Sequence, residues 1–376
     1  MLRFIFSFII FIHGSIHLLG FLKEWKIAEV KELTGKTIFP LPAGLAKGAG
    51  ALWLLTCIMF AVSAFSYLMK QGWWWIPASI ALVISQILII IYWHDAKFGT
   101  IANVIILIMC LLGYGDWSFN RMVAGELPSF LSNGPIKSEI IKESDIRALP
   151  PVVQKWMRHS GVIGKDMIKT VHLRQTGQMR TSPEGSWWPF TAGQYFTVDR
   201  PGFLWEAEVK ANPFMYMRGR DKYYNGQGQM IIKVMSLIPV VDVKGKEVDQ
   251  GTMLRFLAEG VWFPTFALSK YIKWEEVDSR SARAVMNYGG IEASGIYRFN
   301  AEGDLTGFEA MRYYYRKEGS TLEKWVIAVD RDGYKEFSGM RIPAKSSVTW
   351  KLKEGDYHWL DVEVTEMEFN GKSIKN

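Results

Sequence analysis

Four apolar runs, Leu2–Leu22, Ala49–Met69, Trp73–Trp93 and Phe98–Tyr114, crowd the first third of this 376-residue chain, and only Arg3 interrupts them with charge. A bilayer core about 30 Å thick is crossed by a helix of roughly 20 apolar residues. In lipid every backbone polar group has to be satisfied within such a segment. Each run meets the length requirement, so residues 1–117 are expected to form a four-helix transmembrane bundle. The charge then changes abruptly: residues 1–120 hold 8 of the 44 Lys and Arg and 5 of the 37 Asp and Glu. Beyond residue 117 the chain is charged, aromatic and rich in turns, as a water-soluble domain is.

The expected organisation is a membrane domain over 1–117, a linker over 118–143 with Pro128, Gly134 and Pro135, and a soluble domain over 144–376. The first run is too long for a cleaved signal peptide and reads as a retained helix. Lys23, Lys26, Lys31, Lys36 and Lys97 fall on one side of the bundle, against Arg3, Lys70 and Arg121 on the other. Positive charge favours the cytoplasm, which places the protein in the plasma (inner) membrane with its soluble domain outside the cytoplasm. Trp25, Trp73, Trp74, Trp75, Trp93 and Trp117 sit at run ends, as interfacial anchors do. Both cysteines, Cys57 and Cys110, lie in apolar runs, which leaves the soluble domain without disulfide, thiol nucleophile or Cys-based zinc site. No block of like charge suggests nucleic acid.

Polar groups inside spans are costly and invite a functional reading. His13 and His17 are four apart and share a helix face. Gln86 and Asn103 lie at a comparable depth in later runs, and His94, Asp95 and Lys97 close the turn between the last two. Convergence of His13, His17, Gln86, His94, Asp95 and Asn103 would form either interhelical hydrogen-bond glue or a site for protons, a quinone or another small apolar molecule. A haem held by both histidines is disfavoured, because two ligands on one helix face cannot take opposite axial positions. The segments HGSIHLLGFLKEW and YWHDAKFGTIANVIIL, with the four-helix layout, resemble bacterial DoxX-like membrane proteins over residues 1–115. That resemblance implies only a loose link to redox or quinone-associated functions.

In the soluble part, Leu149, Val153 and Trp156 recur at helical spacing behind Ser144 or Asp145 as a cap, with Pro150 and Pro151 in the first turn. Strand patterns then dominate over Ile168–Gln178, Trp187–Thr197, Phe203–Lys210, Phe214–Asp221, Met230–Leu237, Arg283–Tyr288, Ile291–Phe299, Leu305–Arg316, Glu323–Val329, Arg341–Leu352 and Tyr357–Glu368. Short turns such as Asn225–Gly226 between them imply an antiparallel sheet. About ten strands would curl to manage their edges. Residues 251–268 break the pattern: Leu254, Leu257, Ala258 and Val261 have helical spacing, and this helix is expected to cover the concave face.

That helix carries Arg255 and Glu259 at i,i+4, an ion pair that is either structural or a clamp for a ligand. Trp262 comes next, on a neighbouring face. The strand RPGFLWEAEV puts Trp205 opposite in face to Glu206; MRYYYRK puts Arg312 and Tyr314 opposite to Met311, Tyr313 and Tyr315. Charged rows are expected to be solvated and aromatic rows to be core. Tryptophans are so numerous here that an aromatic-lined cavity uses them better than a simple core. Arg255, Glu259, Trp262, Trp205, Glu206, Arg312 and Tyr314 are therefore the candidate ligand-binding residues. No catalytic serine elbow, nucleotide loop or zinc-protease motif occurs, and no motif asks for a cofactor or metal.

The segments LPPVVQKWMRHSGV, WWPFTAGQYF, PGFLWEAEV, LRFLAEGVWFPTFAL, WEEVD and RIPAKSSVTW together resemble a bacterial family of unknown function over residues 147–368. The resemblance implies membership and no activity. By architecture the domain is similar to the lipoprotein-carrier half-barrels. The expectation is thus an α+β chain: a transmembrane bundle, then a curved antiparallel sheet that binds a hydrophobic or amphipathic molecule, such as a lipid. An envelope enzyme using Glu259 or Glu206 with Arg255 and Arg312 on an anionic substrate is one alternative, and a protein-interaction module is another.

Overall fold

The computed structural model describes residues 2–31, 33–131 and 138–371. The chain divides into two compact units, Met1–Met122 and Val123–Asn376.

The first unit is helical, with α1 (Leu2–Glu24), α2 (Ala43–Leu68), α3 (Trp75–Ile91), α4 (Trp93–Ala96) and the start of α5 (Gly99–Leu131). Three helices, α1, α2 and α5, are long and apolar enough to cross a membrane. This corrects the expected four. The third run loses both ends to other structure: residues 72–74 form a turn, and Tyr92, at φ −98° and ψ 37°, ends α3 ahead of α4. What remains is 17 residues, about 26 Å at 1.5 Å per residue. Close approach of α1 to α2 depends on glycine: a Cβ on Gly14 would lie 2.6 Å from that of Phe60, and one on Gly20 would lie 2.7 Å from the Trp53 ring. Residues 118–131, expected in a linker, instead continue α5, with Pro128 inside it. Residues 132–137 of that expected linker lie outside the described residues.

The second unit takes in the end of α5 and then α6 (Pro151–His159), whose start is set by Pro150 and Pro151; it has no side-chain cap. Ser144 and Asp145 lie in the preceding turn, where Asp145 accepts from the Lys142 amide at 2.8 Å. Val152, Val153, Trp156 and Met157 are its buried face. The sheet begins with a meander of six strands: β1 (Thr170–Met179), β2 (Trp188–Thr197), β3 (Gly202–Asn212), β4 (Met215–Tyr224), β5 (Gln227–Val234) and β6 (Ile238–Lys244). Asn225 and Gly226 both have positive φ, 52° and 80°, as a tight two-residue β4–β5 hairpin requires. The chain then forms α7 (Lys246–Glu259) and two 3₁₀ turns, Gly260–Trp262 and Pro264–Leu268. It returns through β7 (Ile272–Asp278), β8 (Ser281–Tyr288), β9 (Ile291–Phe299), β10 (Leu305–Tyr314) and β11 (Thr321–Val329). The separate hairpin of β12 (Tyr334–Phe337) and β13 (Met340–Pro343) precedes β14 (Lys345–Leu352) and β15 (Gly355–Phe369).

All neighbours pair antiparallel, in the order β6-β5-β4-β3-β2-β1-β15-β14-β11-β10-β9-β8-β7. The first and last strands made are therefore central partners, while the edges β6 and β7 are joined through α7. That helix touches β3 to β6 on one side and β9 and β10 on the other, so the sheet curls around it as a half-barrel. Met253, Leu254, Phe256, Leu257 and Ala258 of α7 are all buried in one core with Phe196, Phe203, Tyr297 and Phe308. The sheet has 13 strands, beyond the ten or so expected. The two edges are hard to read in the sequence because β6 is short and comes after the positive-φ pair Met235 and Ser236, and because β7, IKWEEVD, is heavily charged.

Candidate functional site

On the inner face of the sheet, polar side chains occupy positions whose alternation calls for apolar ones. Gln194 of β2 pairs across to Trp205 of β3, which pairs across to Asp221 of β4. Side chains opposite one another on neighbouring strands share a face, so these three form a row across the half-barrel. Gln175 of β1 joins it by donating to Gln194 Oε1 at 3.3 Å and accepting from Trp205 Nε1 at 2.9 Å.

The helix α7 completes this layer. Arg255 donates through Nε to Glu259 Oε1 at 2.8 Å and through Nη1 to Asp221 Oδ2 at 2.7 Å. Its guanidinium lies 4.9 Å from the ring centres of both Phe203 and Trp205. Gln194 Nε2 donates to the other Glu259 oxygen at 2.7 Å. Burial disfavours the Glu259 anion and raises its pKa above the ordinary value, despite Arg255 and Gln194. Burial also opposes the Arg255 charge, but Glu259 and Asp221 outweigh it and raise the pKa of the guanidinium. Both oxygens of Glu259 are thus occupied, and the pair is a hydrogen-bonded cross-brace between helix and sheet.

Arg312 of β10 stands apart. Its guanidinium lies 4.7 Å from the Trp325 ring centre and 5.8 Å from that of Trp350, residues paired across β11 and β14. Among the described residues it makes no hydrogen bond or ion pair. Burial pushes its pKa down to about 10, leaving it charged at neutral pH, while Asp221 and Glu259 act on it only through space. The Trp325 indole N–H beside it is buried and also lacks an acceptor, as does Asp221 Oδ1 a donor. Tyr314 packs edge-on against Trp350, ring centres 5.0 Å apart.

The structure therefore gathers Arg255, Glu259, Trp205, Arg312 and Tyr314 on the inner face and leaves two candidates elsewhere. Glu206 is on the outer face, where strand alternation puts it opposite to Trp205, and it faces Arg218 at 3.8 Å. Trp262 is core: it is 5% exposed, packs on Phe196, and spends its N–H on the Pro343 carbonyl at 3.1 Å. The rule assigning charged rows to solvent also fails on β10. Met311 is 52% exposed, while Arg312 faces inward. Sequence reasoning missed Gln175, Gln194 and Asp221 as site members. Their signal was parity: Gln194 alternates with Ala192 and Phe196, and Gln175 with Val171 and Leu173, all buried.

In the helical unit, His13, His17, Gln86 and Asn103 come together, and Ser85 joins them. His13 Nε2 is 2.9 Å from Asn103 Oδ1, and His17 Nε2 is 2.8 Å from Ser85 Oγ. Asn103 Nδ2 donates to Ser85 Oγ at 3.1 Å and to Gln86 Oε1 at 3.0 Å. Asp95 is elsewhere, accepting from Thr34 Oγ1 and the Gly35 amide, each at 2.8 Å. His94 is exposed on α4, because that short helix turns it away from the bundle. Among the described residues no group of three or more His, Cys, Asp or Glu side chains is placed to hold a metal ion.

A family model described as a family of unknown function, DUF6544, matches residues 139–362. No curated protein matches the chain by sequence. Among solved structures, it is similar to a LolA superfamily protein from Nitrosomonas europaea, with 8% identity, TM-score 0.34, and coverage of 59% of this chain and 94% of that one. A DUF1329 family protein from Desulfovibrio piger gives 10% identity and TM-score 0.30, covering 59% and 93%. A domain named for outer membrane lipoprotein sorting, from Vibrio parahaemolyticus, gives 8% and 0.32, covering 60% and 93%. Overlaps at this level carry no functional conclusion.

Proposed function

As the chain belongs to DUF6544, a family of unknown function, its role has to be read from its own residues, and we propose that the half-barrel binds an amphipathic molecule with an anionic head group. The observation that carries this reading is Arg312. A guanidinium has five donors and keeps its charge at neutral pH, and Arg312 is half-buried, so its donors are open to an incoming group. Here it is held between two tryptophans, one with an idle N–H, and no protein acceptor reaches either. An anionic oxygen would satisfy both, and the aromatic wall of Trp325, Trp350 and Tyr314 would take an apolar tail. A lipid fits better than a quinone, because a quinone brings no charge to Arg312.

Catalysis has less support. Glu259 has the raised pKa of a general acid or base, but both its oxygens are committed to Arg255 and Gln194, and Glu206 is on the outer face. Three apolar helices of spanning length support a multi-pass protein of the inner membrane, with a helical unit that resembles DoxX-like proteins in its first and last spans. The lysine bias favours a soluble domain outside the cytoplasm.

The full chain, purified in mild detergent, is expected to carry a stoichiometric anionic lipid detectable by native mass spectrometry. Arg312→Gln should lose it, while retaining the far-ultraviolet signature of the sheet. A wild-type protein that is empty at every detergent level, or an R312Q variant that keeps its lipid, would overturn the proposal.

A further inference from the structure

Two neighbouring turns of the half-barrel carry an exposed apolar patch. Phe214 and Met215 lie in and beside the β3–β4 turn and Ile238 at the start of β6; Phe214 is 74% exposed and Ile238 62%. The turns are side by side. Met217 pairs with Val234 and Val234 with Ile238, and the Met235 amide donates to the Tyr216 carbonyl at 2.9 Å. Val240, two residues along β6, is exposed as well. Single exposed apolar side chains are ordinary, but a contiguous group of them marks a surface that meets something apolar.

The chain around the patch is free of carboxylates. Residues 209–220 and 230–241, which form both turns and the strand ends beside them, contain no Asp or Glu. Docking these turns on lipid would therefore bury no carboxylate and bring no negative charge to anionic head groups. Of the cations in the two segments, Arg220 is buried on Glu126, while Lys210 is exposed and Lys233 half-buried. Aromatic and aliphatic side chains next to lysine are what a membrane–water interface selects. The β5–β6 turn adds to this. Met235 and Ser236 both have positive φ, 53° and 59°, which glycine or asparagine adopts at least cost, yet an apolar methionine stands there.

The end of α5 tells which end of the sheet the chain enters. Its last residues, from Val123 to Leu131, belong to the second unit and lie along β4. Glu126 is 3.3 Å from Arg220 Nε and 2.7 Å from Lys222 Nζ. Farther on, the Ser129 carbonyl accepts from the Tyr224 hydroxyl at 3.1 Å, and the Phe130 ring centre is 5.7 Å from that of Tyr224. Helix and strand thus advance in the same sense, and the chain comes into the unit from the end that holds the β3–β4 turn. The same helix is apolar enough to cross a bilayer.

We infer that this corner of the half-barrel, made by the β3–β4 and β5–β6 turns, docks on the bilayer from which α5 emerges. Phe214, Met215 and Ile238 then sit in the interfacial layer of an anionic leaflet. The inference rests on the reading of α5 as a transmembrane helix. A second copy of the chain pairing along the β6 edge would cover the same residues, but Pro239 takes one amide donor out of that edge. Only the bilayer accounts for a patch at the end where the chain enters.

The test places a nitroxide on Pro213→Cys, next to Phe214, in the full-length chain with Cys57→Ser and Cys110→Ser. The protein is held in nanodiscs of phosphatidylcholine and phosphatidylglycerol. Oxygen, which concentrates in lipid, should relax this label more than a water-soluble nickel chelate does. At Glu302→Cys, in the β9–β10 turn at the opposite end of the sheet, the order should be reversed. Phe214→Asp with Ile238→Asp should shift the Pro213→Cys label to the Glu302→Cys pattern, with the far-ultraviolet spectrum unchanged. A lipid pattern that survives both aspartates overturns the inference. So does a water pattern before they are introduced, or shielding from both agents, which would mean that protein covers the patch. Leu55→Cys, exposed midway along α2, separates the two readings. Lipid there with water at Pro213→Cys sinks the docking alone; water at both sinks the spanning reading, and the docking with it.

Discussion

At the scale of single residues, Glu259 shows how a buried carboxyl serves as a brace. Its pKa is raised above its unfolded value of about 4.5, so the folded state binds its proton more tightly than the unfolded one. The stability gained is full below about pH 4.5 and is lost as pH rises through the folded pKa. Glu259→Gln removes that proton uptake. The melting temperature of the wild type relative to E259Q should therefore improve as pH is lowered from 7 towards 4.5; a pH-independent difference would sink this assignment. The Arg255–Glu259 pair was legible from i,i+4 spacing alone. Its strand partners were not, because Gln194 and Asp221 reach it only through the pairing of β2, β3 and β4, which strand periodicity does not specify. Arg312 was legible as a residue but not as an orientation. The row Met311, Tyr313, Tyr315 is the more aromatic, yet Tyr315 is 78% exposed, and tertiary curvature decided which face turned inward.

Among elements, α7 is the one that the sheet cannot do without. It is held on one flank where β5 comes nearest: a Cβ on Gly228 would lie 2.4 Å from Thr252 Oγ1 and 2.7 Å from the Val248 carbonyl. Asp249 also accepts from the Gly228 amide at 2.6 Å. Gly228→Ala should push the helix off the sheet and cost about 1–3 kcal/mol, read as a lowered denaturant midpoint. Gly193→Ala, on β2 with open space around its Cβ position, should cost much less; equal losses would refute the contact as the cause. Most strands were readable from alternation, as in Ala293, Gly295, Tyr297 and Phe299, which are all buried on β9. The covering helix was readable in part: its apolar spacing pointed to residues 251–268, whereas α7 spans Lys246–Glu259 and the remainder forms 3₁₀ turns. What eluded reading were the sheet edges, β6 behind a positive-φ turn and β7 heavily charged, and the true length of α3, which is cut by turns.

For the molecule as a whole, orientation is the property with the clearest test. Both native cysteines lie in helices of the first unit, Cys57 in α2 and Cys110 in α5. In a Cys57→Ser, Cys110→Ser background, Lys317→Cys provides one thiol on an exposed turn of the half-barrel. A membrane-impermeant maleimide should label it in intact cells; labelling only after lysis would reverse the topology.

The placement of β1 beside β15 has its own consequence, for the order in which the protein is built. Val171 pairs with Phe369, so the centre of the sheet is a contact between the beginning and the end of the second unit. Such distant pairing slows folding, because a long loop has to close before the contact is made. A ribosome reading this chain releases the membrane helices first and the six-strand meander next, and that meander keeps an unpaired edge at β1 until the last strand emerges. Maturation of the half-barrel therefore waits for β15 to emerge. During that interval the nascent β1 edge is the part of the chain most exposed to mispairing, and a holding chaperone has most to gain by shielding it.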